Sequence, residues 1–316
     1  MTGRGFDEIA DPMCNRGHLL TEQRNARSEN IDRMTVDRAF DVINHEDGSV
    51  AEAVAAAKAD ICAAVERITT AFRRGGRLIY VGAGTSGRLG VMDAAECPPT
   101  FLSDPGMVRG IIAGGPDALQ QSVEGAEDQA DLGAAAVEAL DVQLEDVVFG
   151  ITTGGTTPFV LAAVNEATRR GAGTVLLTCV DGDPAACGAD VTIRVLVGPE
   201  VVAGSTRMKA GTATKMVLNM ISTLSMMGVG KLYNNYMVDV NARGSDKLLD
   251  RGIRVVEALS GRTRDRAREL LESANFRVKT ALVMDRLQVD CREAERLLEK
   301  HQGSVRGVLD AGARRS

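Results

Sequence analysis

The chain has 316 residues, of which 44% are hydrophobic, 3% are aromatic and 34 are glycine, and its net charge is −6. This length and composition suit an alanine-, valine- and glycine-rich α/β protein with one large domain and an appendage, or with two domains. The negative charge provides no basic surface for nucleic acid. No apolar run reaches the roughly 20 residues that a membrane span needs, so we expect no membrane association.

The N-terminus and the cysteines indicate the compartment. The first twenty residues contain scattered acids and lack the apolar core of a signal peptide. The six cysteines are widely spaced and include no Cys-x-x-Cys pair. Because nearby histidines are also missing, the cysteines predict no metal site. We therefore expect reduced thiols in a cytoplasmic protein.

The chain begins with a polar arm, residues 1–30, and the spacing of its apolar residues then predicts alternating helices and strands. A long helix starts at Ser49, which forms a capping-box pattern with Glu52, and it ends at Gly75 and Gly76. Five short apolar runs predict strands: Leu78–Val81, Val108–Ala113, Val147–Ile151, Thr174–Thr178 and Val191–Val195. Helical patterns lie near residues 87–96, 116–139, 157–170, 183–188 and 208–227.

Nearly all-apolar strands that alternate with helices are typical of a parallel sheet with helices on both faces. Beyond Arg251 the composition changes to short charged helices with little glycine, which predicts a small helical appendage. We therefore divide the chain into an N-terminal arm and helix (1–48), an α/β domain (49–250) and a helical C-terminal domain (251–316).

The first glycine-rich loop is "VGAGTSGRLG", residues 81–90, directly after the first predicted strand. Gly82, Gly84 and Gly87 fit the Gly-x-Gly-x-x-Gly spacing of a dinucleotide site. Such a site also needs an acid about 20 residues further on, at the end of the second strand, where this chain has only "IIAGG". Thr85 and Ser86 instead suit a single phosphate, which backbone amides at a helix N-terminus and hydroxyl donors can surround.

A second hydroxyl-rich loop, "TTGGTTPF", follows the strand Val147–Ile151 and precedes a helix that begins at Pro158. The carboxyl ends of parallel strands lie at one edge of the sheet, where such sheets bind ligands. Helix capping alone would account for one threonine in each loop but not for the four in this one. The two loops together favour a phosphate-binding site.

Both loops on a parallel sheet resemble the sugar isomerase (SIS) domain, a phosphosugar-binding fold. Longer blocks look like those of the N-acetylmuramic acid 6-phosphate etherases, in the family's order from about residue 20 to 243: "TEQRNARSENID", "LIYVGAGTSGRLGVMDAAECPPTF", "IIAGG", "VEGAED", "GSTRMKAGTATKMVLNMIST" and "MVDV". The helical tail is also similar, with weaker motifs. Two positions depart from the family: Ala26 replaces a usual proline, and Gly154 stands where relatives often carry serine.

The resemblance implies cleavage of the D-lactyl ether of N-acetylmuramic acid 6-phosphate to N-acetylglucosamine 6-phosphate and D-lactate, with no metal or organic cofactor. It also implies that Glu96 in "AECPP" is the general acid and Glu127 in "VEGAED" the general base, with Glu124 as an alternative base. Expected substrate-binding residues are Gly84, Thr85, Ser86, Gly87, Arg88, Thr152, Thr153, Gly155, Thr156, Ser205, Arg207 and Lys209. For the three basic residues, surface salt bridges are an equally good interpretation.

The position of Glu96 adds one argument and one difficulty. Pro98 and Pro99 follow it, so we expect Glu96 to close its helix, where the negative end of the helix dipole favours a protonated acid. Ser86 and Glu96 would then lie about 15 Å apart along one helix, too far for one hexose phosphate to contact both. Three explanations are open: Gly90 breaks the helix, the phosphate rests mainly on the second loop, or Glu96 serves a site shared with another subunit. We favour a homodimer with a shared active site, with the methionine-rich helix 208–227 as a candidate contact. The alternatives to the etherase function are a phosphosugar isomerase and a non-catalytic sugar-phosphate-binding regulator.

Overall fold

The computed structural model describes residues 17, 19–182, 187–240 and 242–313. Its main sheet consists of strands that all run parallel, in the order β2-β1-β3-β4-β5. These strands are β1 (Leu78–Gly82), β2 (Val108–Ile112), β3 (Val147–Ile151), β4 (Gly173–Thr178) and β5 (Val191–Arg194). Each predicted strand is confirmed to within one residue at either end, because short buried apolar runs leave little doubt about their limits.

Seven α-helices in the described parts of residues 36–228 accompany this sheet, and the alternation of side chains along the strands defines its two faces. They are α1 (Val36–Gly48), α2 (Val50–Ala56), α3 (Lys58–Arg73), α4 (Gly84–Phe101), α5 (Ala130–Ala139), α6 (Pro158–Arg169) and α7 (Lys209–Gly228). Tyr80 and Phe149 point into the core formed with α2, α3, α4 and α7, whereas Ile79 and Val148 point into the core formed with α5 and α6. The predicted α/β sheet with helices on both faces is confirmed.

Two local predictions were wrong, and a third is tested only in part. Ser49 does not cap a helix: it has helical backbone angles between α1 and α2, and its hydroxyl donates to the carbonyl of Glu46 (2.7 Å). The stretch 116–139 is not one helix, because Gly125 takes a positive φ of 71° and only short 3₁₀ turns precede α5. Of the predicted helix 183–188, residues 183–186 lie outside the described residues, and 187–188 are not helical.

The helix α4 continues beyond Glu96, contrary to our expectation, and includes both Pro98 and Pro99 before it ends at Phe101. Tertiary packing overrides the local cost of the prolines, because Cys97 and Phe101 are buried in the core and anchor the last turns. Glu96 is therefore not in the last turn, and the argument from the helix dipole does not apply. Helix α4 has no break at Gly90.

The methionine-rich helix α7 is largely an interior element. Val217, Leu218 and Ile221 are fully buried in the core of the same chain, where α7 packs against α3 and α4. Met220 and Met227 remain 38% and 54% exposed. The apolar face of α7 is therefore mostly covered within one subunit, which removes the reason for assigning it to a subunit contact.

The C-terminal part of the chain is helical, as predicted, and has a hydrophobic core of its own. A short antiparallel hairpin of β6 (Leu232–Tyr233) and β7 (Tyr236–Met237) leads into it. The helices are α8 (Asp246–Ser260), α9 (Arg264–Ser273), α10 (Val278–Leu287), α11 (Cys291–Lys300) and α12 (Val305–Ala313). The three-part division of the chain stays a prediction. Among the described helices, none combines the length and apolar character that crossing a bilayer requires.

Candidate functional site

The order of the strands places the two hydroxyl-rich loops side by side. Strand β1 pairs with β2 on one side and with β3 on the other, so the connections leave β1 and β3 in opposite directions. In open parallel sheets the crevice at such a reversal, outside the carboxyl ends of the strands, is the usual ligand site. Gly82 and Ile151, the last residues of β1 and β3, are register partners. The loops that follow them therefore flank this crevice.

The first loop turns directly into α4. Ala83 precedes the helix, and among the described residues no side chain caps the first amides of α4. Thr85 and Ser86 in its first turn are half-buried, and neither hydroxyl forms a hydrogen bond with any other described residue. Free hydroxyls beside uncapped helix amides are suited to bind an anion.

A cavity of about 230 Å³ lies beside this loop, and Gly84, Arg88, Glu124 and Glu127 are among its lining residues. The Arg88 guanidinium is not free: it donates to the carbonyls of Leu119 (3.3 Å) and Gln121 (3.0 Å). Arg88 therefore ties the segment that carries both glutamates to the first turns of α4. Glu127 is exposed on a 3₁₀ turn, residues 126–128, rather than on an α-helix.

In the second loop, two of the four threonine hydroxyls form a hydrogen bond with each other. Thr152 is buried, and its hydroxyl accepts from the amide of Thr157 (3.3 Å) and donates to the Thr157 hydroxyl (2.9 Å). This pair fixes the start of α6. The hydroxyls of Thr153 and Thr156 have no hydrogen-bond partner among the described residues, and Gly155 adopts a positive φ of 72°. Of the four threonine hydroxyls in this loop, those of Thr153 and Thr156 are not engaged by any described residue.

The segment 199–208 connects β5 to α7, and the start of α7 lies beside the first loop. A methyl group added at Gly211, in the first turn of α7, would lie 3.4 Å from the Thr85 methyl carbon. The start of α7 and the first loop are therefore in contact. Ser205 is half-buried and Arg207 is exposed on this segment.

Lys209, in contrast, is only 2% exposed, and its ammonium group lies 2.6 Å from the Glu46 carboxylate. A surface salt bridge was the alternative interpretation of this lysine, and the observed ion pair is buried. Although burial opposes it, hydrogen bonds from Lys209 and Asn25 hold the pKa of Glu46 below its usual range. Sequence reasoning missed Glu46 because it lies 163 residues from Lys209.

Glu200 was also missed, although it organises the same segment. Its fully buried carboxylate accepts the backbone amides of Lys209 (3.0 Å) and Ala210 (2.9 Å), the first two residues of α7. Burial raises the pKa of Glu200, and the two amides oppose that shift. The acid lies nine residues before the helix, so the usual capping patterns do not reveal it.

Glu96 lies apart from the cavity. It is exposed on α4, which is continuous from Gly84, and it does not line the cavity that Glu127 lines. The structure thus brings together the first loop, Arg88 and Glu127, and it leaves Glu96 about 15 Å along the helix from Ser86.

A buried polar cluster anchors α4 one turn before Glu96. The Asp93 carboxylate accepts hydrogen bonds from Tyr80 (3.0 Å), Asn219 (2.7 Å) and Ser222 (3.2 Å). Burial raises the pKa of Asp93 despite these three donors. The cluster fixes α4 to both β1 and α7, so the orientation of Glu96 is determined by the core.

No group of three or more histidine, cysteine, aspartate or glutamate side chains within the described ranges is arranged to hold a metal ion. The cysteines Cys97 and Cys179 are buried, and burial raises the pKa of each thiol to about 12. These two thiols are therefore core residues and poor nucleophiles.

Comparison with known proteins gives two domain matches and a set of close relatives. The model of the glucokinase regulatory protein N-terminal SIS domain matches residues 60–168, and the SIS domain model matches residues 131–224. A protein of Trichormus variabilis is 52% identical over 93% of this chain and 95% of its own length. Proteins of Picosynechococcus sp. (51%; 93% of this chain, 97% of its own) and Crocosphaera subtropica (49%; 94% and 97%) are similar. All three are named N-acetylmuramic acid 6-phosphate etherase.

Proposed function

Because the chain belongs to the N-acetylmuramic acid 6-phosphate etherase family, we propose that it cleaves the D-lactyl ether of N-acetylmuramic acid 6-phosphate. The products are N-acetylglucosamine 6-phosphate and D-lactate, which makes the protein a carbon–oxygen lyase. The observation that carries this proposal is the identity of about half the residues over more than nine-tenths of the chain. We expect the reaction in the cytoplasm, in the recycling of cell-wall sugars.

The chemistry requires one base and one acid. In the open-chain sugar the aldehyde acidifies the proton at carbon 2, and a carboxylate removes it while the bond from carbon 3 to the lactyl oxygen breaks. A protonated carboxyl group gives its proton to that oxygen. Water then adds across the new double bond, with hydroxyl at carbon 3 and a proton at carbon 2. Two carboxyl groups in opposite protonation states perform this sequence.

Glu127 is the better base of the two acids in the cavity. It lines the cavity that also contains the start of α4, so a phosphate on the first loop brings the sugar to it. Glu124 lines the same cavity but accepts a hydrogen bond from the Ser122 hydroxyl (2.5 Å), which occupies one of its oxygens. We assign the phosphate to Thr85, Ser86, Thr153 and Thr156 together with the first amides of α4.

Glu96 is the proposed acid, and its distance from the first loop supports a homodimer with a shared site. One hexose phosphate cannot span about 15 Å of continuous helix, so the Glu96 that serves one cavity comes from the partner subunit. Arg207 is exposed on the segment that precedes α7 and is the proposed partner of the lactyl carboxylate, with the half-buried Ser205 on the same segment.

The test of function is D-lactate release from N-acetylmuramic acid 6-phosphate by the purified protein. Glu96→Gln and Glu127→Gln retain the fold and lose about 100- to 10,000-fold in rate, because each removes one proton-transfer group. In deuterated water, Glu96→Gln still exchanges the proton at carbon 2, whereas Glu127→Gln does not. The reverse pattern would show that acid and base are exchanged.

The same assay separates the rival functions. A phosphosugar isomerase converts an aldose phosphate to a ketose phosphate and releases no lactate. A regulator binds the phosphosugar without turnover. The glucokinase regulatory protein model covers only residues 60–168, whereas similarity to the etherases extends through the C-terminal helices. This coverage favours the etherase.

Subunit mixing tests the shared site. Glu96→Gln and Glu127→Gln subunits are each inactive alone, but random pairing of a composite site gives one intact site in each mixed dimer. Activity returns to about a quarter of the wild-type value. Mixed dimers that form and remain inactive would place both glutamates of each site in one chain.

A further inference from the structure

The ion pair between Glu46 and Lys209 connects two distant parts of the chain. Glu46 is in the last turn of α1, and Lys209 is the first residue of α7. The side chains are 11% and 2% exposed, and the charged atoms are 2.6 Å apart. The ammonium is therefore paired with a carboxylate and has almost no solvent-exposed surface.

The two ends of the segment between β5 and α7 are joined by hydrogen bonds to the Glu200 carboxylate. The Glu200 carboxylate binds the amides of Lys209 and Ala210, so residues 200–209 form a loop whose two ends are held together. Glu200 and Glu46 also offset the unfavourable position of a lysine at the positive end of a helix dipole. This closed loop carries Ser205 and Arg207.

The N-terminal segment 21–28 holds the other side of the loop. The Asn25 amide donates to Glu46 (2.8 Å) and to the carbonyl of Pro199 (3.2 Å). The Ser28 hydroxyl donates to the carbonyl of Val201 (2.6 Å), and the Gly204 amide donates to the carbonyl of Thr21 (3.1 Å). Asn25 therefore links this segment to the same carboxylate that binds Lys209.

We propose that Glu46 and Lys209 form a positioning pair, which holds the 199–208 segment against the first loop, and that Lys209 does not contact the substrate. This inference rests on the proposed function. The contact between Gly211 and Thr85 transmits the position of α7 to the phosphate loop. Displacing Lys209 therefore moves Arg207 relative to Ser86 and weakens substrate binding from a distance.

Electrostatics distinguishes this role from substrate contact. Replacement of Lys209 alone leaves the Glu46 carboxylate with Asn25 and, at 3.6 Å, the exposed Arg27 as partners, and replacement of Glu46 alone leaves the buried ammonium without its carboxylate. Replacement of both by neutral groups of similar size is often tolerated. A positioning pair therefore recovers in the double variant. A lysine that binds the substrate does not recover, because the ammonium is still missing.

The experiment compares Lys209→Met, Glu46→Gln and the double variant by kcat, KM and the midpoint of thermal unfolding. Lys215→Met is the matched control, an exposed lysine on the same helix. We expect each single variant to raise KM about tenfold and to lower the unfolding midpoint. The double variant returns to within about threefold of the wild-type KM, and the control is unchanged. A folded double variant with the KM of Lys209→Met would overturn the proposal, as would single variants with wild-type kinetics.

Ser28→Ala covers the case in which the charge variants do not fold. It removes the hydrogen bonds from the Ser28 hydroxyl to the carbonyls of Val201 (2.6 Å) and Asn25 (3.4 Å), and we expect KM to rise two- to fivefold with kcat unchanged. No change in KM would contradict positioning by this segment. Calorimetry on the same variants measures the dissociation constant of N-acetylglucosamine 6-phosphate. We expect this constant to rise in the variants in which KM rises and to recover in the double variant. A wild-type protein that binds this sugar phosphate but releases no lactate would refute the proposed function while leaving the positioning role open to this measurement.

Discussion

The two hydroxyl-rich loops look alike in sequence but differ in what their hydroxyl groups do. Both follow neighbouring parallel strands and precede a helix. In the first loop, the side-chain hydroxyls of Thr85 and Ser86 have no hydrogen-bond partner in the described chain. In the second, Thr152 is buried and bonded to Thr157. The pattern of glycine and hydroxyl residues thus predicts a ligand site at this edge of the sheet, but it does not tell which hydroxyls are free to bind.

The glycines of the two loops also differ. A methyl group at Gly87 would lie 2.6 Å from an Ile112 side-chain carbon and 2.7 Å from the Gly82 carbonyl oxygen. At Gly154 the nearest atom would be 3.8 Å away, the Thr156 hydroxyl. The first loop is therefore packed tightly against the sheet, and the second has room at this position.

The largest expected effect comes from Gly87→Ala. The added methyl group clashes with a backbone carbonyl that cannot rotate away, so we expect the free energy of unfolding to fall by about 2 kcal/mol. The control is Gly154→Ser, which should change the free energy by less than about 0.5 kcal/mol. Chemical denaturation measures both. Equal stabilities for the two variants would remove the contrast in packing between the loops.

A smaller effect, on binding rather than on stability, is expected for Ser86→Ala. A hydrogen bond from this hydroxyl to a phosphate is worth about 1.5 kcal/mol, which corresponds to roughly a tenfold increase in KM. Because the hydroxyl has no partner within the described protein, the unfolding midpoint should not change. Steady-state kinetics and thermal unfolding check the two parts. A stable variant with the wild-type KM would mean that the phosphate does not contact Ser86.

The opposite pattern, and the smallest effect, is expected for Thr152→Val. Loss of the buried hydrogen bonds with Thr157 should lower the free energy of unfolding by about 1 kcal/mol. KM should stay within about twofold, since the buried hydroxyl is already engaged. The same two measurements as for Ser86→Ala apply. A large rise in KM without loss of stability would mean that the Thr152 hydroxyl contacts the phosphate, as we propose for the hydroxyls of the first loop.

The sequence by itself predicted the α/β architecture, which is confirmed, and a phosphate site at the carboxyl edge of the sheet, which stays a prediction. Short runs such as Val147–Ile151 are apolar at every position, which only a strand buried on both faces requires. The glycines and hydroxyls after β1 and β3 then predicted a phosphate site at the carboxyl edge. The family blocks added Glu96 and Glu127, whose roles remain proposals. These features are local, so a single stretch of chain contains them.

Only the tertiary structure decided which groups are paired and where the helices end. Helix α4 passes through Pro98 and Pro99 because Cys97 and Phe101 pack into the core, a contribution that no local pattern contains. Likewise, whether Lys209 is exposed or buried depends on Glu46, which is 163 residues away. Charges and packing act through space, so partners that are distant in sequence fix the burial and protonation of a side chain only once the chain has folded.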